Sequence, residues 1–294
     1  MIVYLNGSFI PHSEAKISVD DRGFLFADGV YEVAKIYEGR VFLFEQHLRR
    51  LRAGLTELRM NTDVVDGIPA ITERLLDENH LRVGDATVYI QVTRGAAPRA
   101  HAFPPADTPQ TVLIAVKPFK GHPASYFTEG VGAITVPDVR WSRCDIKSIS
   151  LLPNVLANQQ AKENGAFEAL FIRDSNVIEG SHANLFAVLD GKLVTCPASG
   201  NILNGITRQL VLQRAPEAGI PVYEEFIPEA RFNEVTELFL TGTTTEIMPI
   251  TRVDGKPVGA GVPGPITKQL QQLFKTWVEE NLAASATSGH GAAL

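Results

Sequence analysis

Thiols are scarce in this chain: Cys144 and Cys196 are the only cysteines in 294 residues. They form neither a disulfide framework nor a metal-binding spacing, and such sparing use suits a reducing cytosol. The seven histidines show no HExxH or HxxxH pattern, so no metal centre is expected. Basic blocks are missing as well. With a net charge of −6, neither nucleic acid nor an anionic membrane is an expected partner. Apolar runs such as VLIAV at 112–116 have strand length and are far too short to span a bilayer. The segment MIVYLNGSFIP lacks a basic lead and turns at Asn6-Gly7, so a hairpin is expected there and not a signal peptide. The remainder, 45% hydrophobic and 20% charged, has the balance of a soluble globular protein. Its length allows two domains or one large one.

Residues 1–120 open with hairpins, VYLNGSFI and VAKIYEGRVFLF, the second turning at Glu38-Gly39. An amphipathic helix is predicted over 45–60, with Leu48, Leu51, Leu55 and Leu58 on one stripe. A second follows near 68–79, then the strands ATVYIQVTRG and QTVLIAVKPF. A seam falls at 117–130, where Pro and Gly cluster and periodicity lapses. Residues 121–282 are strand-rich (GAITVP, ALFIRD, NLFAVLDGKLVTC, ELFLTGTTTEIM), with helices predicted near 153–164, 206–218 and 266–281. Residues 283–294 read as a disordered tail. Hairpins mixed with helices predict a mixed α/β (α+β) architecture and not a doubly wound parallel sheet.

Lys147 lies in CDIKSIS just before a helix-like run, and Glu179 lies in VIEGSHANLF between two strand-like segments. Each alone reads as an ordinary solvated residue or turn cap. Pyridoxal 5′-phosphate (PLP) would give them a common purpose. Its aldehyde carbon takes a lysine as a Schiff base, and its ring nitrogen wants an anion that keeps it protonated. Its phosphate needs N–H donors and a cation. NILNGITRQLVLQRA offers a turn leading into a helix whose first amides, near Ile206 and Thr207, would favour an anion; plain capping by Asn204 and Thr207 fits the same residues. LTGTTTEIM sets Thr243, Thr244 and Thr245 after an apolar strand, where an ordinary turn is the alternative. Arg50, placed off the leucine stripe and facing the opposite side, is the candidate cation or else a solvated arginine. GAGVPG at 259–264 satisfies GxGxxG literally, yet it lacks the βαβ setting of a dinucleotide site and reads as a loop.

In YIQVTRGAAPRAHAFPP, Arg99 and His101 stand two apart. In an extended segment they point the same way and would converge on a carboxylate; a basic loop is the alternative. GVYEVAKIYEG sets Tyr31, Val33 and Lys35 on one strand face by the same rule, as an amphipathic edge strand also would.

From residue 1 to about 280 the chain resembles the fold-type IV PLP enzymes, and among them the D-amino-acid aminotransferases. In those enzymes IKS carries the Schiff-base lysine and EGSxxN the ring-nitrogen acid, while YxVxK and RxH are paired substrate signatures. RGxxPRxHxFP is the most specific piece. Branched-chain aminotransferases carry YxGxR instead, aminodeoxychorismate lyases lack the RxH pair, and (R)-amine transaminases lack a carboxylate trap. One departure stands out. The family's EGSSSN is EGSHAN here, with His182 and Ala183 replacing two serines.

The resemblance implies two mixed α/β domains, the second a larger pseudo-barrel that carries the PLP lysine. It implies Lys147 as catalytic residue and Arg50, Glu179, Leu203, Ile206, Thr207, Thr243 and Thr244 as further cofactor contacts. Tyr31, Val33, Lys35, Arg99, His101, Ser181 and His182 would meet substrate. The implied reaction is ping-pong transamination of a D-amino acid of the D-alanine or D-glutamate class with a 2-oxo acid, 2-oxoglutarate or pyruvate. The implied setting is a cytoplasmic homodimer whose sites borrow the trap loop from the partner subunit.

Overall fold

The computed structural model describes residues 1–288, and their side chains as far as Ala283. The chain divides into two units. One comprises Met1–Gly121, Ile146–Ser150 and, of the described residues, 281–288; the other comprises His122–Asp145 and Leu151–Glu280. The sequence reading assigns the Lys147 segment to the second unit. It belongs instead with the first, because Val30 and Ser148 form a β-bridge and Tyr31 N donates to Lys147 O at 3.0 Å.

The first unit contains β1 (Ile2–Leu5), β2 (Ser8–Pro11), α1 (Arg22–Phe26), β3 (Gly29–Tyr37), β4 (Arg40–Val41), α2 (Phe44–Glu57), α3 (Ile68–Glu78), β5 (Ala86–Thr93) and β6 (Thr111–Pro118). Its strands form one antiparallel sheet in the order β2-β1-β6-β5-β3-β4. Alternation along β3 decides what faces the helices. Val30, Ala34 and Ile36 are buried with Leu48, Leu51 and Leu55 of α2 and Leu75 and Leu76 of α3. Burying each of these valine, isoleucine and leucine side chains contributes roughly 1.5–3 kcal/mol. Glu32 shares that buried parity, so a carboxylate stands where the pattern calls for an apolar residue.

The second unit contains α4 (Ala124–Thr128), β7 (Val131–Pro137), α5 (Leu152–Glu163), β8 (Glu168–Arg173), β9 (Asn176–Gly180), β10 (Asn184–Leu189), β11 (Lys192–Thr195), α6 (Ile206–Arg214), β12 (Val222–Glu224), β13 (Ile227–Pro228), β14 (Glu237–Gly242), β15 (Glu246–Val253), β16 (Lys256–Pro257) and α7 (Pro265–Ser288). The run β10-β14-β15-β7-β8-β9 closes on itself, because β9 pairs back to β10 through Glu179 and Asn184. Most pairs are antiparallel, and β7 runs parallel to both β8 and β15. Leu170, Leu185, Leu240 and Met248 fill one side of this sheet, while Ala169 and Phe171 pack with Ala157 and Ala161 of α5 on the other. Helix α7 continues through 283–288, where a tail was expected; 289–294 lie outside the described residues. The GAGVPG segment leads straight into α7, whose first amides, at Ile266 and Thr267, donate to the buried Glu237 carboxylate at 3.1 and 2.8 Å. That helix start is filled by the protein's own anion, in keeping with the reading of GAGVPG as a loop. No helix is long and apolar enough to cross a membrane, and no group of metal-ligating side chains occurs among the described residues.

Candidate active site

In the first unit the half-buried Lys147 sets its Nζ over the ring of Tyr31, 4.2 Å from the centroid. Tyr31 stacks on Tyr89 at 5.9 Å, and Tyr89 donates to Gln91 at 2.5 Å. Burial, with Tyr31 beside it, pushes the Tyr89 hydroxyl up to about 12. Val33 lies opposite Tyr89 in the β3–β5 register. Tyr89 and Gln91 escaped the sequence reading, although the alternation of β5 marks them as facing one way. Lys35 is committed elsewhere: it pairs with Asp85 at 3.1 Å and rests on the rings of Tyr37 and Phe119.

On the opposite face of β3, Glu32 takes Arg50 Nε and Nη2 at 2.6 and 2.9 Å and meets His47 Nδ1 at 2.8 Å. Burial alone would raise the Glu32 carboxyl, yet Arg50 and His47 more than offset it and hold it at about 2. Burial lowers His47 despite the carboxylate beside it. Arg50 therefore turns toward the sheet and does not face solvent opposite the leucine stripe as expected. The missed signal was the charge in β3, since a buried carboxylate requires a cation from the helix that covers it.

Arg99 and His101 lie in a loop of bends and not in the expected extended segment. Both pack on Phe26, Arg99 at 5.1 Å and His101 at 5.5 Å. The loop begins at Gly95, whose φ is +90° and where an added Cβ would stand 1.9 Å from Pro109 O, so only glycine fits. Arg22, unsuspected from the sequence, lies beneath this loop.

In the second unit a β-bulge between Phe171 and Ile172 sets Glu179 opposite Phe171, the ring under the Arg140 guanidinium. Bulges commonly re-aim a side chain in this way. Arg140 Nη1 donates to Glu179 Oε1, while Asn184 Nδ2 and Leu203 N donate to Oε2 at 3.0 and 3.3 Å. Asp138 in turn holds Arg140 and Arg173. Burial pushes Glu179 up to about 7, with Arg140 partly opposing the shift. Asn184 also donates to Leu203 O and accepts from Gly205 N, so one side chain ties the acid to the start of α6. That start, at Ile206 and Thr207, has no side-chain cap; Asn204 is held by Arg208 at 3.0 Å. Thr243 and Thr244 form the β14–β15 turn, and Gly242 lies within reach of Ala183. Thr241, paired with Asn184 across β10–β14, has a buried hydroxyl without a partner. The expected acid and both expected phosphate segments thus gather at one end of a single sheet.

Ser181 is turned inward. Its hydroxyl bonds Glu168, and Asn154 and Asn158 hold the residue. His182, about half exposed, brings Nδ1 to 2.9 Å from Glu168 Oε2. Burial would raise Glu168, but His182, Ser181 and the Ala169 amide keep it below its usual value.

Residues 29–253 match the amino-transferase class IV family model, and the chain belongs to that family. It is 38% identical over 280 residues to D-alanine aminotransferase of Staphylococcus aureus (strain COL), covering 95% of this chain and 98% of that one. It is 40% identical over 276 residues to the enzyme of the same name from Bacillus licheniformis, covering 94% and 96%. Among solved structures it resembles the branched-chain amino acid aminotransferase of Escherichia coli, with a TM-score of 0.86, 26% identity and 94% of each chain covered. A branched-chain enzyme from T.th., solved with pyridoxamine 5′-phosphate, gives 0.82 and 25%, covering 95% of this chain and 94% of that one.

Proposed function

We propose that this protein is a PLP-dependent aminotransferase that moves the amino group of a D-amino acid to a 2-oxo acid. The observation that carries this reading is the packing of Arg99 and His101 on the same ring, Phe26, which supports a carboxylate trap in the segment that carries the RxH signature of the D-amino-acid aminotransferases. The full-length identity to D-alanine aminotransferases supports the same substrate class.

The residues present fit the cofactor. In the second unit, the uncapped α6 start and the partnerless Thr241 hydroxyl suit a phosphate, and the carboxyl of Glu179, raised by burial, suits a protonated ring nitrogen. Lys147 would carry the group, Arg50 would add a cation to its phosphate, and the Thr243–Thr244 turn would add donors. Bound PLP supplies an electron sink for the bond-breaking step. The chain supplies the rest. Lys147 Nζ takes the substrate Cα proton and returns a proton on the way to the 2-oxo acid. Glu179 would keep the ring nitrogen protonated. Arg99 and His101, with Tyr31, hold the α-carboxylate, and its position decides which enantiomer turns its Cα–H toward the amine. The family resemblance supports a homodimer with this loop lent to the partner subunit.

Half-reactions test the proposal. D-alanine and D-glutamate should convert bound PLP to pyridoxamine phosphate, seen by absorbance, while L-alanine and L-leucine are inert on the same timescale. Arg99→Ala should raise KM for D-alanine by about ten- to a hundredfold, as expected for a lost charge-assisted pair. L-leucine reacting as fast as D-alanine would install the branched-chain reading in its place.

A further inference from the structure

Arg22 is buried, with 4% of its surface exposed, yet it belongs to a five-residue helix with no catalytic signature. Its guanidinium grips consecutive carbonyls of the trap loop. Nη1 donates to Ala100 O at 2.6 Å and to Ala102 O at 3.3 Å, and Nη2 to His101 O at 3.5 Å. Its Nε donates to Asp28 Oδ2 at 2.8 Å. Asp28 is in turn fixed by Arg94, whose Nη2 reaches Leu58 O at the end of α2. The backbone repeats the attachment: Arg22 N donates to Gly95 O at 2.9 Å, and Asp21 bridges Ala96. Four residues along the same helix, Phe26 supplies the ring on which both Arg99 and His101 rest, and Arg22 itself lies 4.9 Å from that ring. Arg99 and His101 are exposed, and beyond the Ala96 bridge the loop's own secondary structure is only bends and turns. What fixes its backbone is a side chain about eighty positions earlier.

We infer that Arg22 is a positioning residue for α-carboxylate recognition: by holding the carbonyls of residues 100 to 102 over Phe26, it sets the direction of the Arg99 and His101 side chains. The inference rests on the trap assignment above. A planar guanidinium with five donors can serve the Asp28 carboxylate and three carbonyls together; an ammonium cannot. Substitution with lysine would therefore keep the charge beside Asp28 while releasing the loop.

The test uses the PLP-loaded protein and steady-state kinetics with D-alanine and 2-oxoglutarate. Arg22→Lys should raise KM for D-alanine by roughly tenfold or more, with kcat at saturating substrate within about threefold of wild type, the pattern of lost binding that is shared by ground and transition states. The cofactor absorbance should not move. Phe26→Leu, which leaves the Arg22 contacts in place, should raise KM in the same sense and less. If both variants keep the wild-type KM, or if kcat and thermal stability fall while KM stays, Arg22 serves the fold alone and the inference fails. Arg99→Ala run in parallel separates the two claims. A raised KM there with an unchanged KM in Arg22→Lys overturns only the positioning role; an unchanged KM in Arg99→Ala overturns the trap itself.

Discussion

At the scale of single residues, Arg50 carries two duties that conflict. It neutralises a fully buried Glu32, and under the proposed function it also faces a phosphate. Arg50→Ala would leave the Glu32 carboxylate with only His47, whose own ionisation burial opposes. Stranding one partner of a buried pair costs about 3–5 kcal/mol, which urea unfolding of the cofactor-free protein should register. PLP affinity should fall by about one to two powers of ten as well. The double variant Arg50→Met, Glu32→Gln separates the duties. It should recover most of the lost stability, because no charge is left stranded, and none of the lost PLP affinity. Wild-type PLP retention through dialysis in that double variant would reduce Arg50 to a structural residue. Lys35 teaches the same lesson more simply: it shares parity with Tyr31, yet Asp85 and two rings already engage its ammonium.

At the scale of elements, the β9–β10 connection and the start of α6 act as one piece through Asn184. Its amide touches Glu179 Oε2, Leu203 O and Gly205 N, and an added Cβ at Gly205 would stand 2.2 Å from its oxygen. The donors expected for the phosphate are thereby set at a fixed span from the acid expected for the ring nitrogen. Asn184→Ala should loosen PLP binding and shift its absorbance, while costing about 1–3 kcal/mol of stability for the buried groups left without partners. An equilibrium titration with PLP and a thermal melt read the two effects separately. Unchanged affinity would mean that α6 holds its own first turn without help from the hairpin.

At the scale of the whole molecule, two buried carboxylates pull the pH dependence of stability in opposite directions. Glu32 is held at about 2, below its ordinary 4.5. Its contribution is present above about pH 4.5 and fades as the pH falls toward 2. Glu179 is pushed up to about 7, so the fold binds its proton more tightly than the unfolded chain does. That contribution is complete below about pH 4.5 and is lost as the pH rises through 7. The cofactor-free protein should therefore melt at lower temperature as the pH rises from 5 to 7, with a smaller decline in Glu179→Gln. Under the proposed function, added PLP should flatten the wild-type decline, because a protonated ring nitrogen would give the ionised acid a cation. Equal slopes in the wild type and Glu179→Gln would remove Glu179 as the cause.

The sequence by itself determined the inventory of chemistry and most of the elements that carry it. Period-two runs delimited the main strands, leucine spacing located α2, and IKS, EGSHAN and RAH singled out Lys147, Glu179, Arg99 and His101, because these signals are local along the chain. Only the tertiary structure decided what holds those residues. The pairing of Glu32 with Arg50, the return of residues 146–150 to β3, the bulge that aims Glu179 at Arg140 and the grip of Arg22 on residues 100–102 all join distant segments. Burial makes each of them necessary, since a charge or a carbonyl withdrawn from water must find a partner. The spacing of a sequence says that such a partner must exist, and only the packed chain brings a particular one within reach.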